Sequence, residues 1–193
     1  MPTVVYLLRH GQAQHNTDEF RANAEQARVD PKYLDSRLTE KGVYQAIHAQ
    51  DKLKGIVFDA IYCSPLRRCR NTLLLAFPES ATANVAVDDR ILEQPYGHNI
   101  ADKRMERADV VSDCPPNWIC ENVSESNPFH TSSEAVEREA IRSFTADVCR
   151  QWPGGVVFVV AHQTWIRRWT EMFHVTPLQL ENCGIASIEI DST

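Results

Sequence analysis

A chain of 193 residues can form one domain with a sizeable core, and 43% hydrophobic with 24% charged residues fits an ordinary globular protein. A net charge of −6 gives no broad field to attract nucleic acid or an anionic membrane surface, so neither is expected as a partner. No run approaches the ~18 apolar residues of a membrane span, and residues 1–8 lack the basic start and cleavage site of a signal peptide. The cytoplasm is therefore the expected compartment. The six cysteines (Cys63, Cys69, Cys114, Cys120, Cys149 and Cys183) form no Cys-x-x-Cys pair. They are expected to be free thiols rather than metal ligands.

Residues 3–8, TVVYLL, read as a strand buried on both faces. Residues 12–36 are polar and turn-rich, a long loop with some helix. A helix begins at Thr39, with Val43, Ala46, Ile47 and Leu53 on one face. Residues 58–62 form a second short strand. Ser64 can then cap a helix that has Pro65 at its first position and a stripe of Leu66, Cys69, Leu73 and Ala76.

Residues 85–87 suit an edge strand. Residues 93–130, with Pro95, Pro115, Pro116 and Pro128, are irregular and read as a lid or insert within a single domain over 1–193. Thr131 and Glu134 form a capping box for a helix that buries Val136, Ala140, Phe144 and Val148. Gly154-Gly155 precedes the clearest buried strand, 156–160. A helix carrying Trp165, Ile166, Trp169 and Phe173 follows, then a last strand over 184–190. Strands alternating with helices predict an α/β fold: a three-layer sandwich around a mostly parallel sheet.

In such sheets ligands bind beyond the carboxyl ends of the strands. His10 follows the first strand, Ser64 to Arg68 follow the second, and His162 follows the 156–160 strand. Two histidines and up to three arginines thus reach one edge. That set suits phosphoryl transfer. A neutral imidazole can attack phosphorus through one nitrogen while the other donates a hydrogen bond that fixes its tautomer. Gly11 beside His10 permits close backbone approach. The planar fork of arginine holds two phosphoryl oxygens at once. A carboxyl with a raised pKa would protonate the leaving oxygen, and Glu93 is the candidate.

Five landmarks now carry a resemblance. Arg9-His10-Gly11 with Asn16 resembles the Arg-His-Gly signature of the histidine phosphatase superfamily, which includes cofactor-dependent phosphoglycerate mutases and many phosphatases. Leu38-Thr39-Glu40-Lys41-Gly42 resembles its Leu-Thr-x-x-Gly helix start, and Ser64-Pro65-Leu66-Arg67-Arg68 its Ser-Pro-Leu-x-Arg segment. Leu92-Glu93 followed by Gly97 resembles its Leu-x-Glu segment, and Val159-Val160-Ala161-His162 the strand ending in a second histidine. Asn182-Cys183 before the last strand also fits.

The resemblance spans essentially the whole chain. It implies a phosphoglycerate mutase-like fold, with His10 as nucleophile and Glu93 as acid. Arg9, Arg68 and His162 become phosphate ligands and Asn16 an auxiliary contact. His15-Asn16, the long loop after it and Asp102-Lys103-Arg104 resemble a branch of mutase-like proteins from plants, fungi and protists. Gln163-Thr164-Trp165 depart from the small residues that often follow the second histidine, and Ser133-Glu134 replaces a common Glu-Ser pair.

Other residues have plainer readings. Arg67 and Arg70 read as solvated helix residues, and His15, His48, His98, His130 and His174 as surface or packing residues. Trp165 and Trp169 read as core. Lys103, Arg104 and Gln163 are kept as substrate-binding candidates. The sequence therefore predicts a phosphatase for a small phosphorylated metabolite, with no cofactor and no metal required. It carries no signal for an oligomeric state. A phosphoglycerate mutase would use the same pocket, and a non-catalytic phosphate-binding module would bind without turnover. No Gly-x-Gly-x-x-Gly or P-loop sequence supports a nucleotide-binding domain.

Overall fold

The computed structural model describes residues 1–96, 98–128, 133–173 and 176–191. The N-terminal apolar run is β1 (Thr3–Arg9). The polar stretch after it holds two short helices, α1 (Asp18–Ala22) and α2 (Ala24–Ala27). Then come α3 (Glu40–Leu53), β2 (Ala60–Cys63), α4 (Arg67–Ala76) and β3 (Val85–Asp88). The expected insert contains a 3₁₀ turn at Ile100–Asp102, α5 (Arg107–Ser112) and β4 (Ile119–Asn122). The chain closes with α6 (Glu134–Gln151), β5 (Val156–Ala161), α7 (Gln163–Phe173) and β6 (Ile185–Ile190).

The strands form one sheet in the order β4-β3-β2-β5-β1-β6. All neighbours are parallel except β6, which runs antiparallel to β1. Alternation along each strand sorts side chains onto two faces. Leu8, Ile61, Cys63, Phe158 and Val160 pack against Ala46, Ala49 and Leu53 of α3 and Cys69, Leu73 and Ala76 of α4. Val5, Leu7, Val157 and Val159 pack against Ile141, Phe144 and Val148 of α6 and Trp165, Ile166 and Trp169 of α7. Helices on both faces make three layers, and each buried Leu or Phe within them contributes roughly 1.5–3 kcal/mol relative to exposure. The two indoles belong to this core: Trp165 Nε1 donates to Arg90 O at 2.7 Å and Trp169 Nε1 to Thr145 Oγ1 at 2.9 Å.

Several expectations need correction. The buried stripe of α3 is Gly42, Ala46, Ala49 and Leu53, whereas Ile47 is exposed. One residue is 100° of rotation, so Ile47 turns away once Ala46 faces the sheet. The same rotation leaves Val136 exposed and turns Glu137 inward, where it pairs with Arg168 and accepts the Tyr96 N–H at 2.8 Å. Ser64 and Pro65 do not open α4. The helix starts at Arg67, whose N–H is accepted at 2.9 Å by Asp35 Oδ1, a buried carboxylate from a distant loop.

β3 is not an edge, because β4 lies outside it. Arg70 is buried rather than solvated, donating through Nε to Pro65 O at 2.9 Å. Ser133 caps α6 through the Val136 N–H. Thr131, named for the capping box, lies outside the described residues, as do Gly97, His130 and His174.

Register decides where the chemistry lies. Arg9 is level with Ala161, and Cys63 with Val160. The next residue of each strand is then fixed by the ladder: His10 N donates to Ala161 O and Ser64 N to Val160 O, both at 3.1 Å. His10, Ser64 and His162 therefore emerge at one edge of the sheet.

Candidate active site

His10 is buried at the end of β1, and its ring centroid lies 5.2 Å from that of His162. Its Nδ1 is 2.7 Å from Gly11 O. A carbonyl only accepts, so Nδ1 carries the proton and Nε2 keeps its lone pair. Asn182 Nδ2 donates to His10 O at 3.0 Å, and the Cys183 N–H donates to Arg9 O at 3.0 Å, which pins the strand end. Burial, then Arg68 and Arg9, hold His10 well below the ordinary imidazole range, so it is neutral at pH 7.

The turn after His10 is set by contact between glycines. A Cβ on Gly11 would stand 2.6 Å from Gly42 O, and one on Gly42 would stand 2.0 Å from Gln12 O. Thr39 Oγ1 accepts the Gly42 N–H at 3.1 Å as the cap of α3. The Leu-Thr-x-x-Gly segment is thus a cap and a close approach that together fix the loop bearing His10.

His162 is held on both sides. Arg68 Nη2 lies 3.1 Å from its Nδ1 and Ser64 Oγ 2.8 Å from its Nε2. A guanidinium only donates, so Nδ1 accepts and the Nε2 proton is given to Ser64. Burial, then Arg68, hold this ring well below its ordinary range as well.

Arg68 is fully buried. Its Nη1 donates to Ala101 O and its Nη2 to Asp102 Oδ1, both at 2.7 Å. Arg9 donates through Nη1 to Leu180 O at 2.7 Å. The Nε donors of both arginines are buried and have no hydrogen-bond partner among the described residues. A buried donor left unmade is costly, about 1–3 kcal/mol each. Two cationic donors of this kind beside two imidazoles fit an oxyanion.

Glu93 stands at the start of α7. Its Oε1 accepts the N–H groups of Gln94 at 2.9 Å and Trp165 at 3.2 Å, and Oε2 lies 3.4 Å from Thr164 N. Burial first and Asp102 second push its carboxyl up to about 7, against the backbone donors and Arg68. Such a group can hold or release a proton near neutrality.

The remaining predicted residues are placed less centrally. Asn16 accepts the Ala13 N–H at 3.1 Å and closes the short turn after Gly11. Both ends of the Gln163 amide brace the 178–180 segment: Nε2 donates to Leu178 O at 3.1 Å and Oε1 accepts from Leu180 N at 2.9 Å. Arg104 is held by structural ties. It is buried against both carboxylate oxygens of Asp89, with further donors to Met105 O and Ser124 O. Lys103 is partly buried beside the Ile100–Asp102 turn.

Sequence reasoning missed three residues. Ser64 reads in the sequence as a cap and instead holds His162. His15 reads as a surface or packing residue, yet its ring lies 5.7 Å from that of His10, with Nδ1 buried and unpartnered among the described residues. Asp102 entered only as part of a motif and grips Arg68.

Residues 5–193 match the model of the histidine phosphatase superfamily, branch 1. The chain belongs to the histidine phosphatase superfamily. It is 32% identical over 145 residues to "Putative phosphoserine phosphatase 2" of Hydrogenobacter thermophilus, covering 75% of this chain and 66% of that protein. It is 32% identical over 94 residues to a 2,3-bisphosphoglycerate-dependent phosphoglycerate mutase of Thermoplasma acidophilum, covering 49% of this chain and 42% of the mutase. The chain thus spans less than two thirds of the length of these curated relatives. Among solved structures it is similar to a phosphoglycerate mutase of Bacillus anthracis, with a TM-score of 0.66 at 20% identity, covering 99% of this chain and 89% of that one. That likeness concerns the fold, which is phosphoglycerate mutase-like. Among the described residues no helix is long and apolar enough to cross a membrane.

Proposed function

We propose that this member of the histidine phosphatase superfamily hydrolyses a small phosphomonoester through a phosphohistidine on His10. The observation that carries the reading is the pair of buried, unpartnered Nε donors of Arg9 and Arg68 beside a neutral His10 whose free nitrogen is Nε2. A phosphoryl dianion satisfies both donors and presents phosphorus to that nitrogen.

In the first step His10 Nε2 bonds to phosphorus as the ester P–O bond breaks, and protonated Glu93 gives its proton to the leaving alcohol. In the second, Glu93 carboxylate takes a proton from water, the water oxygen bonds to phosphorus, and the P–N bond breaks. Orthophosphate leaves and neutral His10 returns. His162 braces Arg68 in the resting site. With phosphate bound, the Nε2 proton that His162 gives to Ser64 can go to a phosphoryl oxygen instead. Asn16 steadies the turn that follows His10, and Lys103 is our candidate contact for the rest of the substrate.

The printed name of the Hydrogenobacter thermophilus relative favours hydrolysis, whereas the Thermoplasma acidophilum relative keeps a mutase as the nearest alternative. We read the chain as one domain with residues 93–130 as a cap over the site. Ala101 joins Phe20, Ala27 and Tyr33 in a small apolar cluster, and Ile100 N donates to Arg28 O at 2.9 Å, so the cap leans on the 12–36 loop. Six free cysteines fit a reducing compartment, the cytoplasm.

The test is an acid-labile, base-stable radiolabel on the wild type after incubation with a labelled aryl phosphate. His10→Ala should carry no label and lose activity by roughly 10³-fold or more. Full activity in His10→Ala would end the proposal.

A further inference from the structure

Residues 99–102 of the proposed cap reach Arg68. Asn99 Oδ1 accepts the Ala101 N–H at 3.0 Å and so shapes the 3₁₀ turn Ile100–Asp102. From that turn the Ala101 carbonyl and the Asp102 carboxylate take one hydrogen each from Nη1 and Nη2 of Arg68. Nη2 also meets His162 Nδ1. The guanidinium is therefore clamped along its Nη edge, which leaves the buried Nε–H and one Nη1–H for a further acceptor. A guanidinium on a flexible stem gives up rotamer freedom to bind an anion, and a partner that orders it beforehand removes that cost.

We propose that Asp102 is a positioning residue: it fixes the Arg68 guanidinium so that its remaining donors point at the phosphoryl group. This rests on the reading of the site as a histidine phosphatase centre, and it adds a residue whose contact with substrate is not required.

Two variants test the role. Asp102→Asn keeps an oxygen for Arg68 and should keep inorganic phosphate affinity within about twofold. Asp102→Ala removes the clamp and should weaken inorganic phosphate binding, measured by calorimetry, on the order of tenfold. Circular dichroism melts confirm that each variant is folded, and Asp102→Glu should restore part of the affinity lost in the Ala variant.

Unchanged phosphate affinity in Asp102→Ala overturns the proposal. So does tighter binding, the sign of a carboxylate that competes with phosphate. Each of these can occur with His10 labelled normally, which leaves the phosphohistidine reading intact. Loss of phosphate affinity in Asp102→Ala without any label on wild-type His10 does the reverse.

Discussion

Ser64 Oγ lies 2.8 Å from His162 Nε2, in a region where both side chains are fully buried. Because Arg68 occupies Nδ1, this hydroxyl is the acceptor for the one proton that His162 carries. Ser64→Ala leaves that N–H without its oxygen acceptor. The expected cost is about 1–3 kcal/mol in stability, and the ring is freed to turn away from Arg68. Urea denaturation should show the loss, and kcat on an aryl phosphate should fall roughly tenfold. Wild-type kcat in a folded Ser64→Ala protein would mean that the contact is idle.

The contrast between Ser64 and His10 shows what a sequence carries. His10 was legible because its position depends on β1, a continuous apolar run whose end is plain, and on the general rule for strand ends. Ser64 was also placed at a strand end, yet Ser-Pro before an apolar stripe reads equally well as a helix start. The choice was made by Asp35, whose carboxylate takes the cap of α4 from outside the local sequence. Asp102 is hidden for the same reason, because its partner Arg68 lies 34 residues earlier in the chain. His15 meets His10 and Phe20, both close in sequence, but only the fold of the loop brings the rings together. β4 went unseen because residues 119–122, ICEN, bury one side chain in four and so show no apolar run.

Glu93→Gln should divide activity from stability. The folded carboxyl, at about 7, lies above its ordinary value of 4.5, so the folded protein holds this proton more tightly than the unfolded chain. The associated stability is complete below pH 4.5 and is lost as pH rises through about 7. Gln, which does not ionise, avoids that loss, so the variant should be more stable than the wild type at pH 8, by up to about 3 kcal/mol. Its kcat should fall most on alkyl phosphates, whose leaving oxygen needs a proton, and least on nitrophenyl phosphate. Wild-type kcat should decline on the alkaline side of about 7, and that limb should vanish in the variant. Equal losses on both substrates would remove Glu93 from the acid role.

His15 offers a readout on the acid side. Burial holds His10, His15 and His162 well below the usual imidazole range in the folded state, while each protonates near 6.5 when unfolded. Their contribution is therefore present above about pH 6.5 and is lost as pH falls below it, by about 1.4 kcal/mol per pH unit for each proton. His15→Phe keeps an aromatic ring against Phe20, whose centroid is 6.3 Å away. It should flatten the acid dependence of stability by about one proton. Denaturant titrations at pH 5, 6 and 7 measure that slope, and an unchanged slope would show His15 to be exposed to protons in the native state.

Gly42→Ala tests whether the cap of α3 sets the nucleophile loop. The added methyl would stand 2.0 Å from Gln12 O, a backbone atom that cannot swing aside as a side chain would. Either α3 or the Gly11–Gln12 turn must then move, and the Thr39 N–H bond to Gln12 O at 2.9 Å ties the two together. The expected cost is about 3 kcal/mol in stability. The same displacement reaches His10 through Gly11 O, which fixes the tautomer of the ring. A loss of kcat beyond that of a distant variant with an equal drop in melting temperature is therefore expected. Val157→Ala, near the start of β5 and away from the site, provides that comparison. If the two variants lose stability alike and both keep wild-type kcat, the glycine contact supports the fold alone and His10 is oriented by β1 and β6.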